Sequence, residues 1–182
     1  MAQYRPFDDE VETRGETLLV IEEALGRFSE EYRDRAREAF AAHGIEEPDP
    51  DAWYPQTAEL NALETIATEL DPTILVRLGE QIPDLAEWPS PIAGVEEGLR
   101  TIDEAYRLNF RGGDIGSYRV THVGDQTGTL ECHNPYPCRF DRGVIRAVAK
   151  RHSPVESFVF VEETGDACRR RGDDTCTYTV HW

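Results

Sequence analysis

Apolar positions recur at helical spacing through most of the first 111 residues. From Thr17 to Ala42, Leu18, Ile21, Leu25, Phe28, Tyr32, Ala36 and Phe40 repeat every three or four residues, the stripe of one helix or of two abutting at Gly26. The unbroken run from Thr17 to Ile21 also fits a short strand, so the helical reading is taken from Phe28 onward. Gly44 and the turn-rich stretch Glu46-Glu47-Pro48-Asp49-Pro50-Asp51 end this module. Beyond it, Leu60, Leu63, Ile66 and Leu70 predict a helix closing at Asp71-Pro72, and a shorter one runs from Ile74 to Ile82 before Pro83. Val95, Leu99, Ile102, Tyr106 and Phe110 predict another, up to Gly112-Gly113.

The period then changes to two. Ser117 to Val123, a Gly124–Gly128 turn and Thr129 to His133 predict a strand, a turn and a strand. A helix follows with Asp141 as its N-cap and Val144, Ile145 and Val148 on its apolar face. Residues 157–161 and 175–180 predict a last antiparallel pair around a charged loop. Helices in a block followed by an antiparallel sheet with one inserted helix is an α+β arrangement. We divide the chain into 1–49, an acidic and partly ordered arm of residues 1–14 with a helical extension, and 50–182, the main domain.

Charge sets the partners. The 182 residues carry 36 acids against 19 bases, a net charge of −17, and Lys150 is the single lysine. Residues 1–100 hold 24 acids against 8 bases and the remainder 12 against 11, so the asymmetry belongs to the helical half. Such a surface repels phosphate backbones, which argues against direct nucleic-acid binding. An acidic, lysine-poor composition resembles that of halophilic proteins, in which salt screens the repulsion. The basic run Arg139, Arg142, Arg146, Lys150 and Arg151 is the local exception, and an internal or subunit salt-bridge surface is its simplest reading. No apolar run is long enough to span a membrane and the start has no apolar signal stretch, so a cytoplasmic location is expected.

All four cysteines, Cys132, Cys138, Cys168 and Cys176, fall in the last 51 residues. In a reducing compartment such clustering reads as metal binding or thiol chemistry, beside the plainer reading of buried reduced cysteines. Cys138 follows Pro135-Tyr136-Pro137 at a helix entrance, where a thiolate would have a lowered pKa. Cys168 and Cys176 flank a Gly172-Asp173 turn and can converge. Zinc takes four such ligands, and the alternative is a thiol-dependent enzyme or redox sensor using Cys138, with His133 as the local base. His43, His122, His152 and His181 have no partner spacing and are expected to be structural or exposed.

The ending from Cys168 to Val180, the segment Asn134-Pro-Tyr-Pro-Cys138-Arg-Phe-Asp141-Arg-Gly143 and Gly112-Gly-Asp-Ile-Gly116-Ser-Tyr118 together resemble the 4-vinyl-reductase-type small-molecule sensor domain, over about residues 50 to 182. The resemblance implies an α+β fold shared with haem–nitric-oxide sensors and with TRAPP vesicle-tethering subunits, and a hydrophobic or aromatic ligand. It implies a structural zinc near the pocket, with Cys168 and Cys176 as its closing pair and Cys138, then Cys132, as upstream ligands. The glutamate expected three residues before the first closing cysteine is replaced by Gly165, leaving Glu163 or a second cysteine to substitute. The Tyr-x-Ser-x-Arg propionate clamp of the haem branch is not found, so haem is not expected and zinc is. Candidate pocket residues are Trp53, Tyr54, Trp88, Tyr106, Phe110 and Tyr118, each of which could equally be core. A homodimer through the helices, acting on a separate signalling partner, completes the expectation; a ligand-free assembly subunit is the other reading.

Overall fold

The computed structural model describes residues 3–71 and 73–182; Pro72, expected to help close the second helix, lies outside them. In chain order the elements are β1 (Glu12–Arg14), α1 (Gly15–Gly26), α2 (Glu30–Ala42), β2 (Trp53–Pro55), α3 (Gln56–Glu69), α4 (Ile74–Leu85), α5 (Val95–Asn109), β3 (Phe110–Arg111), β4 (Ser117–Gly124), β5 (Thr127–His133), α6 (Cys138–His152), β6 (Phe160–Glu163) and β7 (Cys176–His181). This is the α+β architecture read from the sequence.

A four-stranded antiparallel sheet in the order β4-β5-β7-β6 forms one layer. Its period of two puts Leu130 and Cys132 of β5 and Cys176, Tyr178 and Val180 of β7 on the buried face, with Leu130 opposite Tyr178 and Cys132 opposite Cys176. α5 packs on β4 and α6 on β6 and β7, closing that face. The helical stripe of α5 does this with Val95, Leu99, Ile102 and Tyr106, all buried. α1 and α2 are two helices, broken at 27–29, where the Ser29 side chain accepts the Tyr32 N–H and caps α2.

Three features differ from the expectations. The arm is built in: Val11 is 1% exposed, the Tyr4 N–H donates to the Pro135 carbonyl, and β1 is the middle strand of a second sheet, β2-β1-β3. Strands of two or three residues have no readable period; only pairing with distant segments creates them. α6 starts at Cys138 with Pro137 at its cap, four residues before the expected cap, so Asp141 stands inside the first turn and is buried. α4 runs on through Pro83, because a proline in the last turn still accepts the helical φ.

α4 and α6 meet backbone to backbone. A Cβ placed on Gly79 would stand 2.2 Å from the Phe140 carbonyl oxygen, and one on Gly143 2.1 Å from that of Val76. Arg146 pairs with Glu80 and Arg151 with Asp84 across the same contact, so part of the basic run is spent inside the molecule, as expected. Among the described residues no helix is long and apolar enough to cross a membrane.

Candidate functional site

Two adjoining sites are built on α6. The first is a cavity of about 70 Å³ lined from α1, α3, the end of α4, α5, β3, β4 and α6. Its walls include Val20, Ile21, Ile82, Ile102, Ala105 and Val144, with Trp88, Tyr106, Phe110, Tyr118, Tyr136 and Phe140 as rings. Five of these rings form one cluster: Tyr106 lies 4.6 Å from Phe110 and edge-on to Tyr118 at 5.4 Å and to Tyr136 at 6.2 Å, and Tyr136 lies 5.4 Å from Phe140. Trp88 is fixed by its indole N–H, which donates to Thr101 Oγ1 at 2.9 Å.

Of the six expected pocket residues, Trp88, Tyr106, Phe110 and Tyr118 line this cavity and Trp53 and Tyr54 do not. Both of those lie on β2: the Arg111 guanidinium covers the Trp53 ring at 4.2 Å, and the Tyr54 hydroxyl accepts the Asp49 N–H at 2.8 Å.

The polar groups of the cavity were not read from the sequence. The Tyr106 hydroxyl donates to the Ile115 carbonyl, Tyr118 to Asp141 Oδ1 at 2.6 Å, and Tyr136 to both oxygens of Glu59 at 2.9 Å. Burial pushes all three phenols up, so they stay protonated donors. Glu59 is fully buried on α3. The signal was present: Glu59, Leu63 and Ile66 stand at the i, i+4, i+7 spacing of one helical face.

Burial pushes the Glu59 carboxyl up to about 7, against the lowering effect of its hydrogen bond from Tyr136. Between its ordinary 4.5 and that value the folded chain binds more protons than the unfolded one. The contribution of Glu59 is therefore whole at low pH and declines as pH rises through this window. Glu59→Gln does not titrate, and we expect it to match wild type near pH 4 and to exceed it at pH 8 by on the order of 2–3 kcal/mol. Paired urea melts across pH decide this; a difference that does not change with pH would remove Glu59 as its source.

The second site is a thiol trio. Cys138 at the start of α6, Cys168 beside a short 3-10 turn (Arg169–Arg171) and Cys176 at the start of β7 place their sulfurs within 4.8 Å of one another, all buried. Cys138 Sγ is 3.1 Å from Cys176 Sγ and 3.8 Å from Cys168 Sγ, and the Gln3 amide donates to it at 2.7 Å. Cys132, the fourth expected ligand, is buried opposite Cys176 in the sheet but stands outside this trio. Glu163, the suggested substitute, is paired with Arg170 at 3.0 Å.

The lowered thiol is Cys176 rather than Cys138. The hydrogen bond from Cys138 holds Cys176 at about 5, with the Arg169 guanidinium adding to the effect. The same bond, together with burial, pushes Cys138 up, which outweighs the helix entrance. His133, the base considered for Cys138, is stacked on Phe7 at 4.3 Å, with Nδ1 3.0 Å from the Asp174 carbonyl.

Between the two sites runs a buried charged network. Arg169, 2% exposed, pairs with Asp141, donates to the carbonyl and side-chain oxygens of Asn134, and reaches Cys176 Sγ through Nε at 3.3 Å. Nothing in the run Arg169-Arg170-Arg171 marks which arginine turns inward; the 3-10 turn decides it.

No protein-family profile and no curated protein matches the chain. Solved structures do. An H-NOX mutant from T. tengcongensis superposes with a TM-score of 0.67 at 13% identity, over 92% of this chain and 96% of the other. An oxygen-binding H-NOX domain related to soluble guanylate cyclases, in its oxygen complex, gives 0.64 at 14% identity over 92% and 94%. A structure concerned with haem redox potential and porphyrin distortion gives 0.66 at 13% identity over 93% and 94%.

The expectation that haem is not carried is overturned here. It rested on a missing motif, whereas the fold is one on which haem proteins are built, so haem stands among the groups to be tested. The walls described above do not fit it as they stand. Among the described residues no histidine, cysteine, arginine or lysine lines the cavity, the three phenols are already engaged, and about 70 Å³ is too small for a macrocycle. Holding haem would take a rearrangement of those walls, and no step below is routed through it. At these identities the likeness is one of fold: the chain has the architecture of an H-NOX domain.

Proposed function

We propose that this chain is a small-molecule sensor domain of the 4-vinyl-reductase kind, which takes a hydrophobic or aromatic ligand into the ring-lined cavity and carries zinc on its thiol trio. It works as a homodimer that passes its state to a separate protein. The observation that carries this reading is the largely apolar, ring-lined cavity with a few convergent polar groups, in a fold it shares with gas- and haem-binding domains. The zinc part rests on the sulfurs. Thiolates about 2.3 Å from a tetrahedral zinc stand about 3.8 Å apart, the Cys138–Cys168 spacing, while Cys138–Cys176 would have to open from 3.1 Å. When bound, the ion would tie the start of α6 to the start of β7.

Titration with phenol, indole, toluene and hemin, followed by tryptophan fluorescence, tests the cavity. At least one of them is expected to give a saturable change that Trp88→Phe removes. Ala105→Leu, which fills the cavity, is expected to abolish binding while the chain stays folded. If none of the four binds saturably, the hydrophobic or aromatic ligand is removed from the reading. For the metal, about one zinc per chain with all four buried thiols shielded until denaturation is expected, and metal-free protein with freely reacting thiols would remove zinc from the reading.

A further inference from the structure

We propose that the ligand of this cavity is a small organic cation, an ammonium group held between the Glu59 carboxylate and the surrounding rings. This rests on the reading of the cavity as the ligand site. Among the described residues three acids are buried: Glu22, Glu59 and Asp141. Two carry an arginine, Arg37 on Glu22 at 2.9 Å and Arg169 on Asp141. Glu59 has no cation at ion-pair distance among the described residues, and it is the one of the three that lines the cavity. A carboxylate taken out of water needs a counter-charge. Here the protein supplies hydrogen bonds from the Tyr136 phenol and the Thr13 side chain, both neutral, and no counter-charge.

That space suits a cation in two further respects. Six aromatic rings line it, and an aromatic π system attracts an ammonium group within about 6 Å of a centroid. No cationic side chain among the described residues lines it to repel one, and the other lining acid, Glu16, is answered by Arg14 at 3.0 Å.

The test compares isobutylammonium with isobutanol, two probes of equal heavy-atom count, by calorimetry in 0.5 M NaCl so that the exposed acids are screened. Wild type is expected to bind the ammonium about tenfold or more tightly than the alcohol, and Glu59→Gln to bring the two within about threefold. Equal or tighter binding of isobutanol by wild type overturns the cation proposal and leaves the cavity a site for neutral molecules. A preference for the ammonium that survives Glu59→Gln overturns the role of this carboxylate. If both probes fail together with phenol, indole, toluene and hemin, the sensor reading itself has failed and takes this proposal with it.

Discussion

Arg169→Met is expected to cost about 3–5 kcal/mol, the largest loss from any single side chain we predict. The replacement fills much of the same volume but leaves Asp141, which is fully buried, as an uncompensated charge, and it strips donors from Asn134 and Cys176. The double variant Asp141→Leu/Arg169→Met is expected to regain a large part of that loss, since removing both charges also removes the desolvation cost they share. Urea midpoints at constant m-value measure both. A single variant within 1 kcal/mol of wild type would mean that water reaches the pair and that it does not organise the first turn of α6.

Gly143→Ala should lower stability by about 3 kcal/mol, although alanine gains roughly 1 kcal/mol over glycine in helix propensity. The added methyl would stand 2.1 Å from the Val76 carbonyl oxygen, a backbone atom that no side-chain rotamer can move aside. Gly79→Ala repeats the clash from the other side, against the Phe140 carbonyl at 2.2 Å. The control is Gly44→Ala, where a Cβ would meet nothing but φ is +86°, so only backbone strain is felt. Thermal melts in which Gly143→Ala equals wild type would show that α4 and α6 can separate at little cost.

The long elements were legible because each buries one regular stripe, as α5 does with Val95, Leu99, Ile102 and Tyr106. Cys168 and Cys176 could be placed near each other by the turn between them, and Cys138 by the prolines before it. What stayed hidden depends on tertiary pairing: β1 between β2 and β3, the inward turn of Arg169, and the exclusion of Cys132 from the trio although its backbone pairs with that of Cys176. Glu59 and Asp141 were hidden for another reason. An acid on a helix reads as solvated, and it takes spacing to see that Asp141, Ile145 and Val148 share the buried face.

The first two turns of α6 hold the Cys138 sulfur, the cavity walls Phe140 and Val144, the Asp141 anion and, at Gly143, the point where the rod rests on α4. A helix transmits displacement along its axis as a stiff bar, and this bar bears on a fulcrum of bare backbone. On the proposed reading, a guest that wedged Phe140 outward would tilt the bar about Gly143, and the sulfur at its tip would swing through an arc set by the length of five residues. Occupancy of the hollow and the spacing of the three sulfurs would then be two scales of one balance.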